Sequence, residues 1–154
     1  MFKKILFPVD LSDASSKVCS YVLEMADRFD SEIHIIYVVH VTNYYSNLDL
    51  SAAYIGNFET EIYKGAGKKF KGFIAENFKD RPVKSKILIG RPADEIMAYT
   101  RSEKIDLIIM GHSSTGIERA IFGSVAGHAV KYAPVPVLVI SPELLRHKQG
   151  LEKS

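Results

Sequence analysis

Short apolar runs alternate with amphipathic segments along most of this chain. The run at residues 33–41 is rich in β-branched and aromatic residues and nearly free of charge, which is typical of a strand buried on both faces, whereas residues 83–89 alternate loosely. Between the runs, apolar residues recur at intervals of three and four, the period of an amphipathic helix. The pattern predicts five strands, at residues 5–9, 33–41, 83–89, 105–110 and 135–140.

Helix start signals follow two of these strands. Ser12 offers a capping side chain and Asp13 an acid in the first turn, so a helix is predicted directly after the first strand. Pro92 stands near the first position of another helix and is followed by Asp94 and Glu95. A last helix is predicted at residues 124–131.

The segment between the second and third strands is less regular. Residues 42–53 are polar and aromatic without a period, which predicts a loop, and an amphipathic pattern then runs from Phe58 to Phe78. Gly65, Gly67 and Gly72 each cost a helix about 1 kcal/mol relative to alanine. The pattern therefore leaves open whether this helix is continuous, kinked or broken.

Strands that alternate with helices predict an α/β fold with a doubly wound parallel sheet covered on both faces. In such sheets ligands bind outside the carboxyl ends of the strands, where the strand order reverses. Asp10, Val38 and Gly111 are all predicted to lie near such ends.

Residues 105–125, IDLIIMGHSSTGIERAIFGSV, contain the strongest chemical signal. An apolar strand ends at Gly111, and Gly123 with Ser124 begins the next helix. Glycines let the backbone approach a ligand, and helix N-termini favour anions, so the segment predicts a nucleotide site. The alternative is that these glycines only permit tight turns. A kinase-type phosphate loop is not predicted, because Ile117 stands where its lysine belongs.

Composition limits the class of protein. A chain of 154 residues with 47% hydrophobic content fits one compact domain. The formal charge of +2, spread along the chain, does not suggest a nucleic-acid partner. Three features predict a cytoplasmic protein without membrane contact. Cys19 is the lone cysteine, and no leader is recognisable. The apolar runs are about seven residues or fewer, whereas a bilayer span needs roughly 20.

Five stretches carry a family resemblance: ILFPVDLSDAS near the start, GRPADEI, IDLIIMG, GSVA, and KYAPVPVLVI near the end. In their order and spacing the chain resembles the universal stress protein family over essentially its whole length. The resemblance implies a single nucleotide-binding domain at residues 1–142 with a sheet in the order 3-2-1-4-5, and a short tail at residues 143–154. Family members usually dimerise and divide into ATP-binding and non-binding groups.

The ATP-binding group carries a motif G-x2-G-x9-G-[S/T], from which this chain departs. Ser114 stands where the second glycine belongs, and the following loop is one residue short. Gly116, two residues later, partly compensates for the missing glycine at position 114. The resemblance implies a site for ATP, ADP or AMP, with or without Mg²⁺, built from Pro8, Val9, Asp10, Val38, Met110, Gly111, Ser114, Gly116, Gly123, Ser124 and Val125.

Two of these residues have a second interpretation. The resemblance places Asp10 near adenosine, where a carboxylate accepts hydrogen bonds, but Asp10 can also cap the first helix with Ser12. The backbone of Val38 would contact adenine, although a buried strand residue needs no ligand. Both roles are compatible at Asp10.

No catalytic residue or protein metal site is predicted. His112 and Ser113 adjoin the phosphate loop but lack a nucleophile-elbow motif, although slow ATP hydrolysis stays open. His34 and His40 share a strand face, and we see no carboxylate or thiol partner for them on that strand.

The last strand is short, apolar and terminal, which predicts an exposed sheet edge that invites pairing. The resemblance implies a homodimer through residues 135–140; alternatively the tail folds back over this edge. Two functions follow: a stress-response regulator that binds ATP or AMP and signals to an unknown protein partner, and a dimeric interaction module that has lost nucleotide affinity.

Overall fold

A computed structural model of the protein describes residues 1–40, 52–112 and 123–141. The chain forms strands and helices in this order: β1 (Lys4–Val9), α1 (Asp13–Phe29), β2 (Glu32–Val39), α2 (Ala52–Asn77), β3 (Val83–Ile89), α3 (Pro92–Ser102), β4 (Leu107–Gly111), α4 (Ser124–Tyr132) and β5 (Val137–Ile140).

The five strands form one parallel sheet in the order β3-β2-β1-β4-β5. β1 lies at the centre, with Ile5 opposite Ile33 of β2 on one side and Leu107 of β4 on the other. β2 is an inner strand, as its apolar sequence predicts, and β5 lies at an edge. The fold class and the strand order are confirmed.

Side chains that alternate along β1 enter two separate cores, one on each face of the sheet. Ile5 and Phe7 pack with α1 and α2, whereas Leu6 packs with α3 and α4. Each of these three residues is fully buried. Because both faces of the sheet are covered by helices, the inner strand β4 reads as a continuous apolar run, whereas the edge strand β3 has exposed polar residues at 84–86.

Several predicted boundaries need correction. The expected loop at residues 42–53 is wrong at its end, because α2 already begins at Ala52; residues 42–51 lie outside the described part of the chain. α2 is assigned as a helix without interruption through its glycines. β4 begins at Leu107 rather than at residue 105, and β5 at Val137 rather than at residue 135.

Asp106 accounts for the late start of β4. Its carboxylate accepts hydrogen bonds from the backbone N–H groups of Lys3 and Lys4, at 3.0 and 2.9 Å. The backbone N–H of Asp106 donates to the carbonyl of Lys4 at 2.9 Å. These bonds join the amino ends of β1 and β4 before the regular ladder begins at Leu107.

The interpretation of His34 also needs correction, since β2 does carry a carboxylate partner. Nε2 of His34 lies 2.6 Å from Oε1 of Glu32, and Nδ1 lies 2.9 Å from the hydroxyl of Tyr99. His34 is fully buried. Both ring nitrogens are therefore engaged by the fold, at the opposite end of β2 from Val38.

Among the residues that the structure describes, no helix combines the length and apolar character needed to cross a lipid bilayer.

Candidate functional site

A cavity of about 290 Å³ opens at the carboxyl ends of the strands, between β1 and β4. β2 pairs with one edge of β1 and β4 pairs with the other, so the strand order reverses between β1 and β4. Ligand sites of open α/β sheets are found at such points. Small-molecule pockets typically measure about 300–1,000 Å³, so the cavity lies at the lower end of that range.

The structure brings most of the predicted site residues to this cavity. Its walls include the following nine of them: Pro8, Val9, Asp10, Val38, Met110, Gly111, Gly123, Ser124 and Val125. The remaining two predicted residues, Ser114 and Gly116, lie outside the described part of the chain. Where the structure describes the predicted site, its parts share one cavity.

Three helices begin at this cavity. The first turn of α1 contains Asp13, and the first turn of α3 contains two acids, Asp94 and Glu95. The first turn of α4 contains no acid, and Gly123 before it provides no side-chain cap. Helix N-termini carry a partial positive charge that acidic residues offset. The start of α4 is therefore the part of the wall best suited to an anion.

Another part of the wall is apolar. Val38 of β2 and Met110 of β4 line the cavity and pack with the core on the α3 side of the sheet. Ile96 of α3 joins them, and both it and Met110 are at least 95% buried. A flat apolar group fits this wall better than a charged one.

Asp10 stands between the apolar and polar parts, immediately after β1. Its Oδ1 atom accepts hydrogen bonds from the backbone N–H of Ser12 at 3.0 Å and from the Ser12 hydroxyl at 2.5 Å. The hydroxyl of Ser15 donates to the same oxygen at 2.6 Å. Ser12 is the residue that caps α1, because its hydroxyl oxygen accepts from the backbone N–H of Ser15. Asp10 supports this cap through its bonds to Ser12 and also lines the cavity.

Residues 1–141 match the model of the universal stress protein family. The chain belongs to this family. Universal stress protein MJ0531 of Methanocaldococcus jannaschii is 35% identical over 143 residues, which cover 91% of this chain and 82% of that protein.

Solved structures agree with this assignment. The structure of M. jannaschii MJ0577, also named a universal stress protein, superposes with a TM-score of 0.78 at 26% identity, over 92% of this chain and 96% of that one. The universal stress protein of Archaeoglobus fulgidus in complex with dAMP superposes with a TM-score of 0.64 at 19% identity, over 91% and 99% of the two chains. The second likeness shows the fold alone.

Sequence reasoning missed seven residues of the universal stress protein cavity: Ser12, Ala14, Ser15, Tyr37, Pro92, Ile96 and Ala126. Pro92 was assigned only to a helix start and Ser12 only to a cap. A usable signal was present, because every segment that follows a parallel strand reaches the same edge of the sheet. The side-chain directions of Tyr37 and Ile96 follow only from the packing of β2 and α3.

Gly90 shows a structural use of glycine beside the site. It follows β3 with φ of 156°, a backbone conformation that residues with a β-carbon rarely adopt. A β-carbon there would lie 2.7 Å from Oε1 of Glu95. The turn that delivers Pro92 to the cavity wall therefore depends on this glycine.

Within the described residues, no group of three or more histidine, cysteine, aspartate or glutamate side chains is arranged to hold a metal ion.

Proposed function

We propose that this universal stress protein is a stress-response regulator that holds ATP or AMP at the carboxyl ends of its strands, as a homodimer in the cytoplasm. The observation that carries the proposal is the cavity itself, which places an apolar wall, a fixed carboxylate and an uncapped helix N-terminus side by side. A nucleotide presents the matching groups: an aromatic base, a sugar with hydroxyl donors and an anionic tail.

The base fits the apolar wall formed by Val38, Ile96 and Met110. An ionised Asp10 only accepts hydrogen bonds, so it suits a ribose hydroxyl or the exocyclic amine of adenine. This orientation directs the phosphates toward Gly123 and Ser124, at the start of α4. Backbone N–H groups at a helix start and the Ser124 hydroxyl are suitable donors to phosphate oxygens.

In this proposal Mg²⁺ binds together with the triphosphate of ATP. Mg²⁺ is usually held by one or two carboxylates together with phosphate oxygens and water rather than by a cage of protein ligands. Among the described residues, the phosphate side of the cavity is lined by Gly123, Ser124 and Val125, which carry no carboxylate, so Mg²⁺ would be held there by phosphate oxygens and water.

Two structural neighbours support an adenine nucleotide as the ligand. Universal stress proteins have been solved in complex with dAMP and with cAMP, at 19% and 18% identity to this chain. Binding is an observation on those proteins, and it agrees with the chemistry of the cavity described here.

We further propose that the bound nucleotide is read by a protein partner rather than consumed. His112, the residue nearest to the predicted phosphate loop, donates its backbone N–H to the carbonyl of Ile140 at 3.0 Å. That bond fixes its backbone beside β5. The proposal of a regulator rather than an enzyme rests on the sequence around His112 and Ser113, which lacks a nucleophile-elbow motif.

Calorimetric titration of the purified protein with ATP and magnesium tests the proposal. A parallel sample is extracted by heat and searched for co-purified nucleotide by mass spectrometry, because a tightly bound ligand survives purification. Saturable binding, or nucleotide carried through purification, supports the regulator. Neither binding nor carried nucleotide, with ADP and AMP also tested, would overturn it.

The alternative function is a dimeric interaction module without nucleotide. It is favoured by the phosphate loop, which is one residue short and has Ser114 in place of a glycine. It is also favoured by Val130 and Tyr132, which are 56% and 53% exposed on the helix before β5. Exposed apolar side chains are common singly, and they mark an interaction site where they form a contiguous patch.

Both functions include a homodimer through residues 135–140. β5 is an edge strand with three partly exposed apolar residues, and such an edge pairs readily with a second copy. Light scattering after gel filtration should give a dimer for the wild type and a monomer for Val137→Lys, which adds a charge to the edge strand. Because Val137 also packs against the core, the variant must first be shown to unfold cooperatively. A wild-type monomer would contradict this pairing.

A further inference from the structure

Asp10 is the carboxylate of the cavity wall, and its orientation is set by two serines of the first helical turn. Oδ1 of Asp10 accepts three hydrogen bonds, two from Ser12 and one from Ser15. Asp10 is exposed, so these three hydrogen bonds rather than packing hold its side chain, and a change of its χ1 angle would break them. The rotamer of Asp10 is therefore set before any ligand arrives.

Ser15 differs from Ser12 in its surroundings. Ser15 is 7% exposed, lies inside α1 and lines the cavity, whereas Ser12 is the half-buried cap residue. The Ser15 hydroxyl donates to Oδ1 of Asp10 and accepts from the Asp10 backbone N–H at 3.2 Å. One buried hydroxyl thus holds both the backbone and the side chain of Asp10.

The connection between Asp10 and Ser12 is strained. Leu11 has φ of 60°, in the left-handed region, where a residue with a β-carbon costs about 1–2 kcal/mol. This conformation turns the backbone so that the N–H of Ser12 reaches Oδ1 of Asp10. Strained backbone persists where surrounding contacts determine it, and it concentrates at functional sites.

We propose that Ser15 is a positioning residue that sets nucleotide affinity through Asp10, an inference that rests on the proposed function. A carboxylate held in one orientation meets its ligand without losing rotamer freedom on binding. The group it receives must be a donor, which means a ribose hydroxyl or an adenine amine. Ser15 does not contact the ligand in this proposal; it orients Asp10, which accepts the hydrogen bond from the ligand.

A double-mutant cycle separates this indirect role from a direct contact. ATP affinity is measured by calorimetry for the wild type, Ser15→Ala, Asp10→Ala and the double variant. Ser15→Ala should weaken binding by about tenfold in the wild-type background, the equivalent of one hydrogen bond to a charged group. In the Asp10→Ala background the same change should have no further effect, because the group it positions is gone.

Ser20→Ala is the matched control. It removes a hydroxyl from the same helix at an exposed position, where the hydroxyl donates only to the carbonyl of Lys17. Its affinity should equal that of the wild type, and all variants are checked for cooperative thermal unfolding. Equal losses from Ser15→Ala in both backgrounds, or no loss in either, would overturn the proposal.

A second measurement needs no nucleotide. The side-chain χ1 angle of Asp10 is read from three-bond NMR couplings in the ligand-free wild type and in Ser15→Ala. One rotamer in the wild type and rotamer averaging in the variant support the positioning role, and an unchanged single rotamer in the variant overturns it. If the wild type binds no adenine nucleotide, the proposed function fails, and the χ1 measurement still decides the role of Ser15.

Discussion

Gly111, the last residue of β4, lies directly against Val18 of α1. A β-carbon on Gly111 would approach Cγ2 of Val18 to 3.1 Å, which is tighter than nine in ten such contacts and requires Val18 to shift by a few tenths of an ångström. Val18 is fully buried, so it has little room to move. A glycine that the sequence assigns to phosphate binding is thus also needed for the packing of a helix on the sheet.

We expect Gly111→Ala to lower the free energy of unfolding by about 1–2 kcal/mol, the usual range for modest overpacking of a core. Urea denaturation followed by circular dichroism measures the change. Gly72→Ala is the control, because a β-carbon there meets nothing within 4 Å and the residue lies in a helix. That variant should gain about 0.5–1 kcal/mol. Equal stability of Gly111→Ala and the wild type would refute the packing role.

The phosphate side of the cavity is tested by changes at the start of α4. Ser124→Ala should weaken ATP binding by about tenfold, because a hydroxyl donor to a charged oxygen is lost. Gly123→Val should block the close approach of the phosphates. Ser85→Ala, an exposed serine of β3, should leave affinity unchanged. Binding that survives both changes at α4 would refute this placement of the phosphates.

The pair of Glu32 and His34 predicts a pH dependence of stability. The hydrogen bond from His34, assisted by Lys84, lowers the pKa of Glu32 below its ordinary value of 4.5. A depressed pKa in the folded state means that the stabilisation is complete above pH 4.5 and is lost as the pH falls through the folded-state pKa.

We therefore expect the free energy of unfolding of Glu32→Gln to fall less steeply below pH 4.5 than that of the wild type. The difference should be small, since the Glu32 side chain is 40% exposed and solvent weakens the interaction. Urea denaturation at a series of pH values measures it. Glu76→Gln, an exposed glutamate of α2, is the control and should follow the wild type; parallel curves for all three proteins would contradict the prediction.

Cys19 should be unreactive in the folded protein. It is 4% exposed, and burial raises the pKa of its thiol from 9.0 to about 12. The thiolate is the reactive form, so a shift of this size alone lowers the reaction rate roughly a thousandfold. Iodoacetamide at pH 8 should label the native protein far more slowly than the protein in urea. Complete labelling of the native protein at the unfolded rate would be inconsistent with this buried thiol.

Local signals predicted much of the fold. The loose alternation of residues 83–89 before Gly90 predicts a strand with the observed boundaries. Ser12 and Pro92 located the starts of α1 and α3, since capping and proline preferences act within one turn. The start of α2 was less well predicted: Ala52 lies in the helix, whereas the sequence around it lacks the periodic pattern of a helix.

The sequence by itself determined the alternation of strands and helices, the family and the end of the sheet at which a ligand site would form. These depend on the period of apolar residues and on motifs read within a few positions. Only the tertiary structure decided that Ser15 holds Asp10, that His34 bonds to Glu32 and Tyr99, and that Gly111 makes room for Val18. Side-chain direction and contact distance arise when helices pack on the sheet, so residues far apart in sequence set them.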